Sequence, residues 1–179
     1  MAGNLLARSA HDLGAAAWFG GTLMGAVGLN GATGKAKDPK ERTRLSSLGW
    51  AKWAPVQTAA FVAHAAGGIG LSLGNKGRVA AQDSVGSNTV LKSVITVIGM
   101  VLSLYSGILG KKVGELAEQG SAGATEPRPG ASDELAKAQS QLNITQWLLP
   151  VISGIVVVMG AKQGEMQRPE NVKKGLLRK

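Results

Sequence analysis

The 179-residue chain is of single-domain length, carries 20 basic against 11 acidic side chains for a formal net charge of +9, and contains no cysteine. That composition excludes disulfides and thiolate metal sites, and an aromatic share of 4% is thin for a water-soluble core. Nucleic acid, the partner that such a positive balance first suggests, is set aside because the Lys and Arg residues fall between apolar stretches and in the tail, where membrane proteins place them against anionic headgroups.

Four runs free of Asp, Glu, Lys and Arg organise the chain: 13–34, 53–75, 93–110 and 138–161. They are close to the ~20 mainly apolar residues that a membrane-spanning helix needs. Helices are the reading because a lipid-facing backbone must satisfy its own hydrogen bonds, and the alternating short strands of a barrel are missing from the sequence.

The first helix is expected at 5–29, ending in "NGATG", an Asn/Gly cluster suited to a helix stop. With one basic residue, Arg8, ahead of it and no clear cleavage site behind it, it reads as a retained span and not a signal peptide. The basic stretch "KAKDPKERTRLSSLGWAK" is expected to be a loop holding a short amphipathic surface helix. The second helix is expected at 53–74, with Pro55 in its first turn, and a loop through "RVAAQDSVGSN" follows. The third helix is expected at 90–110, continuing past the bilayer as "KKVGELAEQ". Within 111–142 the segment "GSAGATEPRPGAS" reads as a flexible exposed loop. The stretch "DELAKAQSQLNITQ" then leads without a break into a fourth helix at 143–162, kinked at Pro150. Residues 163–179 form a basic tail, suited to anionic lipid. Trp50, Trp53 and Trp147 flank apolar runs, as interfacial indoles do; Trp18 lies inside one.

The expected fold is therefore all-α: an antiparallel four-helix bundle, integral to a membrane, in a single domain with both termini on one side. The count of Lys and Arg is equal on the two faces, with Lys92 assigned to the second loop, so the positive-inside rule leaves the orientation open.

Small residues mark the expected helix contacts: Gly14, Gly21 and Gly25 on the first helix, Gly68, Gly70 and Gly74 on the second, Gly99 and Gly107 on the third, and Gly154 on the fourth. Spacings of 3, 4 and 7 hold such residues on one helical face, and small faces let backbones approach closely in lipid. His11 and His64 are the only histidines. Antiparallel neighbours would bring them within about one turn of each other, ~5 Å in depth, as candidate ligands for a haem or a metal, with Asp12 and Gln57 as further donors. The alternative is that His64 is a neutral imidazole bonded across the helix interface and His11–Asp12 marks the headgroup boundary. Two imidazoles fall short of a zinc set.

His11, Trp18, Gly20 and Gly21 together form a histidine followed seven residues later by Trp-x-Gly-Gly. In this the first helix resembles the opening helix of CopD-like (copper-resistance D type) bacterial membrane proteins. The resemblance implies copper handling.

No nucleophile elbow, phosphate-binding loop, zinc-protease motif or dinucleotide fingerprint occurs in the sequence. The expected function is that of a small multi-pass protein of the bacterial inner (plasma) membrane, without enzymatic activity or cofactor, serving as a structural or accessory subunit among membrane lipid and other membrane protein subunits. The alternative is a haem- or copper-binding redox protein built on His11 and His64.

Overall fold

The computed structural model describes residues 2–76, 83–166 and 168. Among the described residues the chain is all-helical, with four long helical segments and no strand. The first long segment is α1 (Ala2–Met24), which runs through a π-helical turn (Gly25–Leu29) into α2 (Asn30–Thr33). The others are α3 (Pro39–Gly74), α4 (Asp83–Glu115) and α5 (Asp133–Glu165), with a short 3-10 turn at Ala117–Gln119. Three segments are long and apolar enough to cross a membrane: 39–74, 85–115 and 133–165. The expected span 5–29 is helical too, with the π turn interrupting it after Met24, and is not among these three.

The helices outrun the apolar stretches that announced them. Asp38 caps α3 through its carboxylate, which accepts from the Lys40 N–H at 2.9 Å, and Pro39 fits the first turn. The helix therefore starts well ahead of Trp53, and the expected surface helix is its opening turns. At 36 residues, α3 is ~54 Å long at 1.5 Å per residue, against a hydrocarbon core of ~30 Å. Ser132 caps α5 in the same way, its hydroxyl accepting from the Leu135 N–H at 3.3 Å, and Asp133 and Glu134 complement the helix dipole there. Asn30 does not stop the first segment, which continues to Thr33.

On the side of the first loop these extensions pack on one another. Leu109, Val113, Leu135 and Ala138 form a small apolar core. The segment expected to be a flexible exposed loop is held against it: Ser121, Ala124 and Thr125 are buried, and the Ser121 N–H donates to the Pro39 carbonyl at 3.0 Å. The Arg42 guanidinium donates to the carbonyls of Ala36, Ser121 and Ala122. These bonds satisfy the backbone of a segment that has no helix or strand to do so.

α1 and α3 are the most extensively packed pair; α4 pairs with α5, which also lies against α1. The expected small-residue contacts hold at most positions. A Cβ on Gly14 would lie 2.5 Å from the Ala60 carbonyl oxygen, one on Gly21 would enter the Trp53 indole, and one on Gly25 the Trp50 indole. Gly68 lies against the His11 ring, Gly70 against Ala7, Gly99 under Trp18 and Ile152, and Gly154 against Phe19. Two positions depart from the expectation. Gly74 is exposed, and Gly107 faces open space, with nothing within 4 Å of a would-be Cβ.

Between the ends lies a dry centre. Trp18 is fully buried and meets Phe61 edge-on with centroids 5.1 Å apart. Val156 and Ala15 complete this core.

Leucine at Gly21 or Gly25 must displace a tryptophan ring from the α1–α3 contact. Each should lower stability in detergent by ~1–3 kcal/mol or more, the usual range for overpacking. Leucine at Ala17 or at the exposed Val27 should change it far less. Thermal melts of the four variants check this; equal midpoints would refute the contact.

Candidate functional site

The two histidines meet at the crossing of α1 and α3, and the glycines one turn on from each explain how. Gly14 leaves room for the α3 backbone at Ala60 and His64; Gly67 leaves room for the α1 backbone at Ala7 and His11, its would-be Cβ lying 2.5 Å from both the Ala7 carbonyl oxygen and the His11 nitrogen. With the backbones this close, the imidazoles stack on each other with centroids 3.9 Å apart and ring planes 17° from parallel. They lie at the same level, not a turn apart.

Each ring bonds to the other's backbone. His11 Nδ1 donates to the His64 carbonyl at 2.8 Å, and His64 Nδ1 donates to the His11 carbonyl at 2.8 Å. A carbonyl cannot donate, so these bonds assign the proton of each ring to Nδ1 and leave Nε2 as the acceptor of a neutral imidazole. The arrangement has a local two-fold character that is also written in the sequence. Residues 7–14 read "ARSAHDLG" and residues 60–67 read "AFVAHAAG", a shared A-x-x-A-H-x-x-G at an offset of 53 residues.

A lysine breaks the symmetry. Lys92 of α4 is buried, and its Nζ donates to His11 Nε2 at 2.7 Å and to Gln163 Oε1 of α5 at 3.3 Å. The Gln163 amide donates onward to Thr89 Oγ1 at 3.3 Å. Gly160 makes the space, since a Cβ there would lie 3.2 Å from the ammonium. Lys92 was assigned from sequence to a loop; its place is in the interior, and nothing short of the tertiary partner would have shown this. Among the described residues, His64 Nε2 has no hydrogen-bond partner. It borders a cavity of about 470 Å³ shared with Arg8, Asp12, Lys92 and Gln163.

The remaining candidate donors lie elsewhere. Asp12 is exposed, and the Gln57 Oε1 accepts from the Trp53 indole at 3.0 Å, away from the histidines. Stacked rings in van der Waals contact leave no slot for a porphyrin between them, and three of the four ring nitrogens are engaged in protein hydrogen bonds. A haem or copper shared by the two imidazoles does not fit this packing. Among the described residues no group of three His, Asp or Glu side chains stands together as a metal set.

A second polar centre, unannounced by any sequence motif, lies toward the first loop. Asn30 Oδ1 accepts from Ser46 Oγ at 2.8 Å and from the Trp50 indole at 3.0 Å, while its amide donates to Gln146 Oε1 at 2.9 Å. The Gln146 amide in turn donates to Thr125 Oγ1 at 3.0 Å. The π turn supplies the geometry. Gly25 and Asn30 are five residues apart, which at ~100° per residue would point them away from each other on a regular α-helix; the wider turn brings both to the α3 side.

No family model, curated protein or solved structure matches this chain.

Lys92 needs the acceptor that His11 provides, so His11→Ala should be more destabilising than His64→Ala. Leaving a buried donor without its acceptor costs ~1–3 kcal/mol, and more when the donor is charged. Lys92→Met should recover much of the loss in the His11→Ala background and little in His64→Ala. A double-mutant cycle on thermal unfolding in detergent measures this, and additive effects of His11→Ala and Lys92→Met would refute the bond.

Proposed function

We propose that the chain is a four-span integral protein of the bacterial plasma membrane, with both termini on one side, acting as a structural or accessory subunit of a larger membrane assembly and not as an enzyme. The observation that carries this reading is the closure of the histidine pair on itself. The residues best suited by type to redox or metal chemistry have their Nδ1 protons on backbone carbonyls and one Nε2 on a lysine, so their chemistry is spent on holding helices together.

Two further features support it. The polar centres at His11 and Asn30 are separated by the Trp18 core, which among the described residues interrupts the file of polar groups that a transport path requires. Val90, Val94, Val97, Val101, Leu104 and Ile108 of α4 all face outward, a surface suited to lipid or to a neighbouring membrane helix. The connection before α3 and the opening turns of α3 carry Lys35, Lys37, Arg44 and Lys52 as a basic rim, suited to anionic lipid or an acidic subunit.

Cysteines introduced singly at Gly3 and Gly175 should react with an impermeant reagent from the same side of sealed vesicles; reaction from opposite sides would refute an even number of spans. Solubilised gently from its native membrane, the protein should travel with a second polypeptide at fixed ratio. A lone monomer with a Soret band or stoichiometric copper, lost in both His11→Ala and His64→Ala, would overturn the accessory reading in favour of the redox one.

A further inference from the structure

The cavity of about 470 Å³ beside the histidines is within the ~300–1,000 Å³ typical of small-molecule sites. It lies where the helix ends converge on the terminal side of the bundle: Arg8 of α1, Asn75 just past α3, Val85 and Lys92 of α4 and Gln163 of α5 line it. Ile69 and Leu73 of α3 and Val97 of α4 belong to the same lining and are more than half exposed on the outer surface. An apolar exit therefore leads from the cavity, between α3 and α4, toward lipid.

Two groups in this recess are incomplete. Lys92 is only 5% exposed, yet among the described residues it makes no ion pair. Its two bonds go to neutral acceptors, His11 Nε2 and Gln163 Oε1, and an ammonium has a third N–H to give. Asp12, the carboxylate of the lining, is exposed and makes no ion pair with it. Buried charges are as a rule paired, because taking one from water is costly. The second group is His64, which is 3% exposed. Its Nε2 has no donor among the described residues, and the atom is not fully enclosed.

What completes both is one group that carries negative charge and brings a proton. Water can donate to His64 but leaves the ammonium unpaired. A monatomic anion pairs the ammonium but has no proton for the imidazole. A carboxylic acid does both with its two oxygens: one accepts from Lys92 Nζ in a charge-assisted bond, and the acid's own proton lies between the other and His64 Nε2. Depth agrees with such a ligand, since Lys92 lies ~10 Å along α4 from Val85 in its opening turn. The acid head then sits just inside the membrane boundary, and an alkyl chain follows Ile69, Leu73 and Val97 outward.

We propose that this cavity binds the carboxyl head of a fatty acid, with Lys92 and His64 as its two partners and the chain leaving between α3 and α4. The proposal stands apart from the accessory-subunit reading, since a subunit and a free-standing protein can both hold such a molecule.

The test uses the full chain in detergent with oleic acid as the probe, followed by the thermal midpoint and by nitrogen NMR of histidine-labelled protein. Oleic acid should saturate, raise the midpoint and move the His64 Nε2 signal away from that of a bare lone pair. Methyl oleate, with neither charge nor acid proton, should do none of these. Lys92→Met should weaken binding by about tenfold or more, the loss of one charged hydrogen bond. The reciprocal bonds of the histidines do not involve Lys92, so this variant keeps the crossing of α1 and α3. Binding that never saturates, equal affinity for methyl oleate, an unmoved His64 signal or indifference to Lys92→Met would each overturn the assignment. Tighter binding of lysophosphatidic acid would overturn it in favour of a phosphate headgroup.

Discussion

The near-contact of two backbones where α1 crosses α3 is the constraint from which the rest of the structure follows. Lipid tails are as apolar as leucine, so no hydrophobic gain pulls one helix onto another within a membrane, and association falls to close packing and hydrogen bonds. Gly14 and Gly67 provide the packing by removing the only side-chain atom that would keep the backbones apart. Once they touch, a histidine on each helix reaches a carbonyl of the other. The same axis, followed toward the first loop, sets Trp53 on Gly21 and Trp50 on Gly25, and the Trp50 indole then donates to Asn30.

The histidine pair also makes possible a buried cation. An ammonium away from water needs acceptors, and a protonated imidazole offers none. By fixing both protons on Nδ1, the reciprocal bonds keep an Nε2 lone pair free to receive Lys92. Lys92 comes from α4 and its second acceptor, Gln163, from α5, so the lysine joins the α1–α3 pair to the α4–α5 pair. Symmetry between the two histidines therefore ends at their outer nitrogens: one is engaged by the lysine and the other borders a cavity.

Much of the architecture was legible because charge is costly in hydrocarbon, so stretches without it betray the helices. The ends of those helices were not legible by the same rule. Residues 39–52 are polar enough to resemble a loop, yet the Asp38 cap and the contact of Ser47 with Gly110 and Gly114 keep them helical, whereas 133–142, whose helix-forming residues were legible, is capped by Ser132 and packs through Leu135 and Ala138 on Leu109 and Val113. The glycine faces were read from spacing alone, which locates a face but not what it meets; hence Gly107, on the right face of α4, lines a cavity. The histidine partnership was within reach, because the A-x-x-A-H-x-x-G repeat at 7–14 and 60–67 announces two helices that pack through equivalent surfaces. Lys92 and Asn30 were not, since one lysine near a loop and one asparagine near a glycine look interfacial until their partners on other helices are known.

Two polar centres at different depths solve a problem that glycine faces create. Smooth small-residue surfaces allow helices to approach but do little to stop them sliding or turning, because a shift of one turn presents a similar surface. Interhelical hydrogen bonds in membranes average only ~0.6 kcal/mol each, too little for any one of them to fix a register. Here the bonds are spread along the interface: the histidine clasp with Lys92 at one end, Asn30 with Ser46, Trp50 and Gln146 at the other, and the contact between Thr22 and Ser153 at 3.3 Å between them. Sliding α1 by a turn breaks all of them together and drives Trp18 off Gly99. Register is thus specified by several weak interactions that fail in concert.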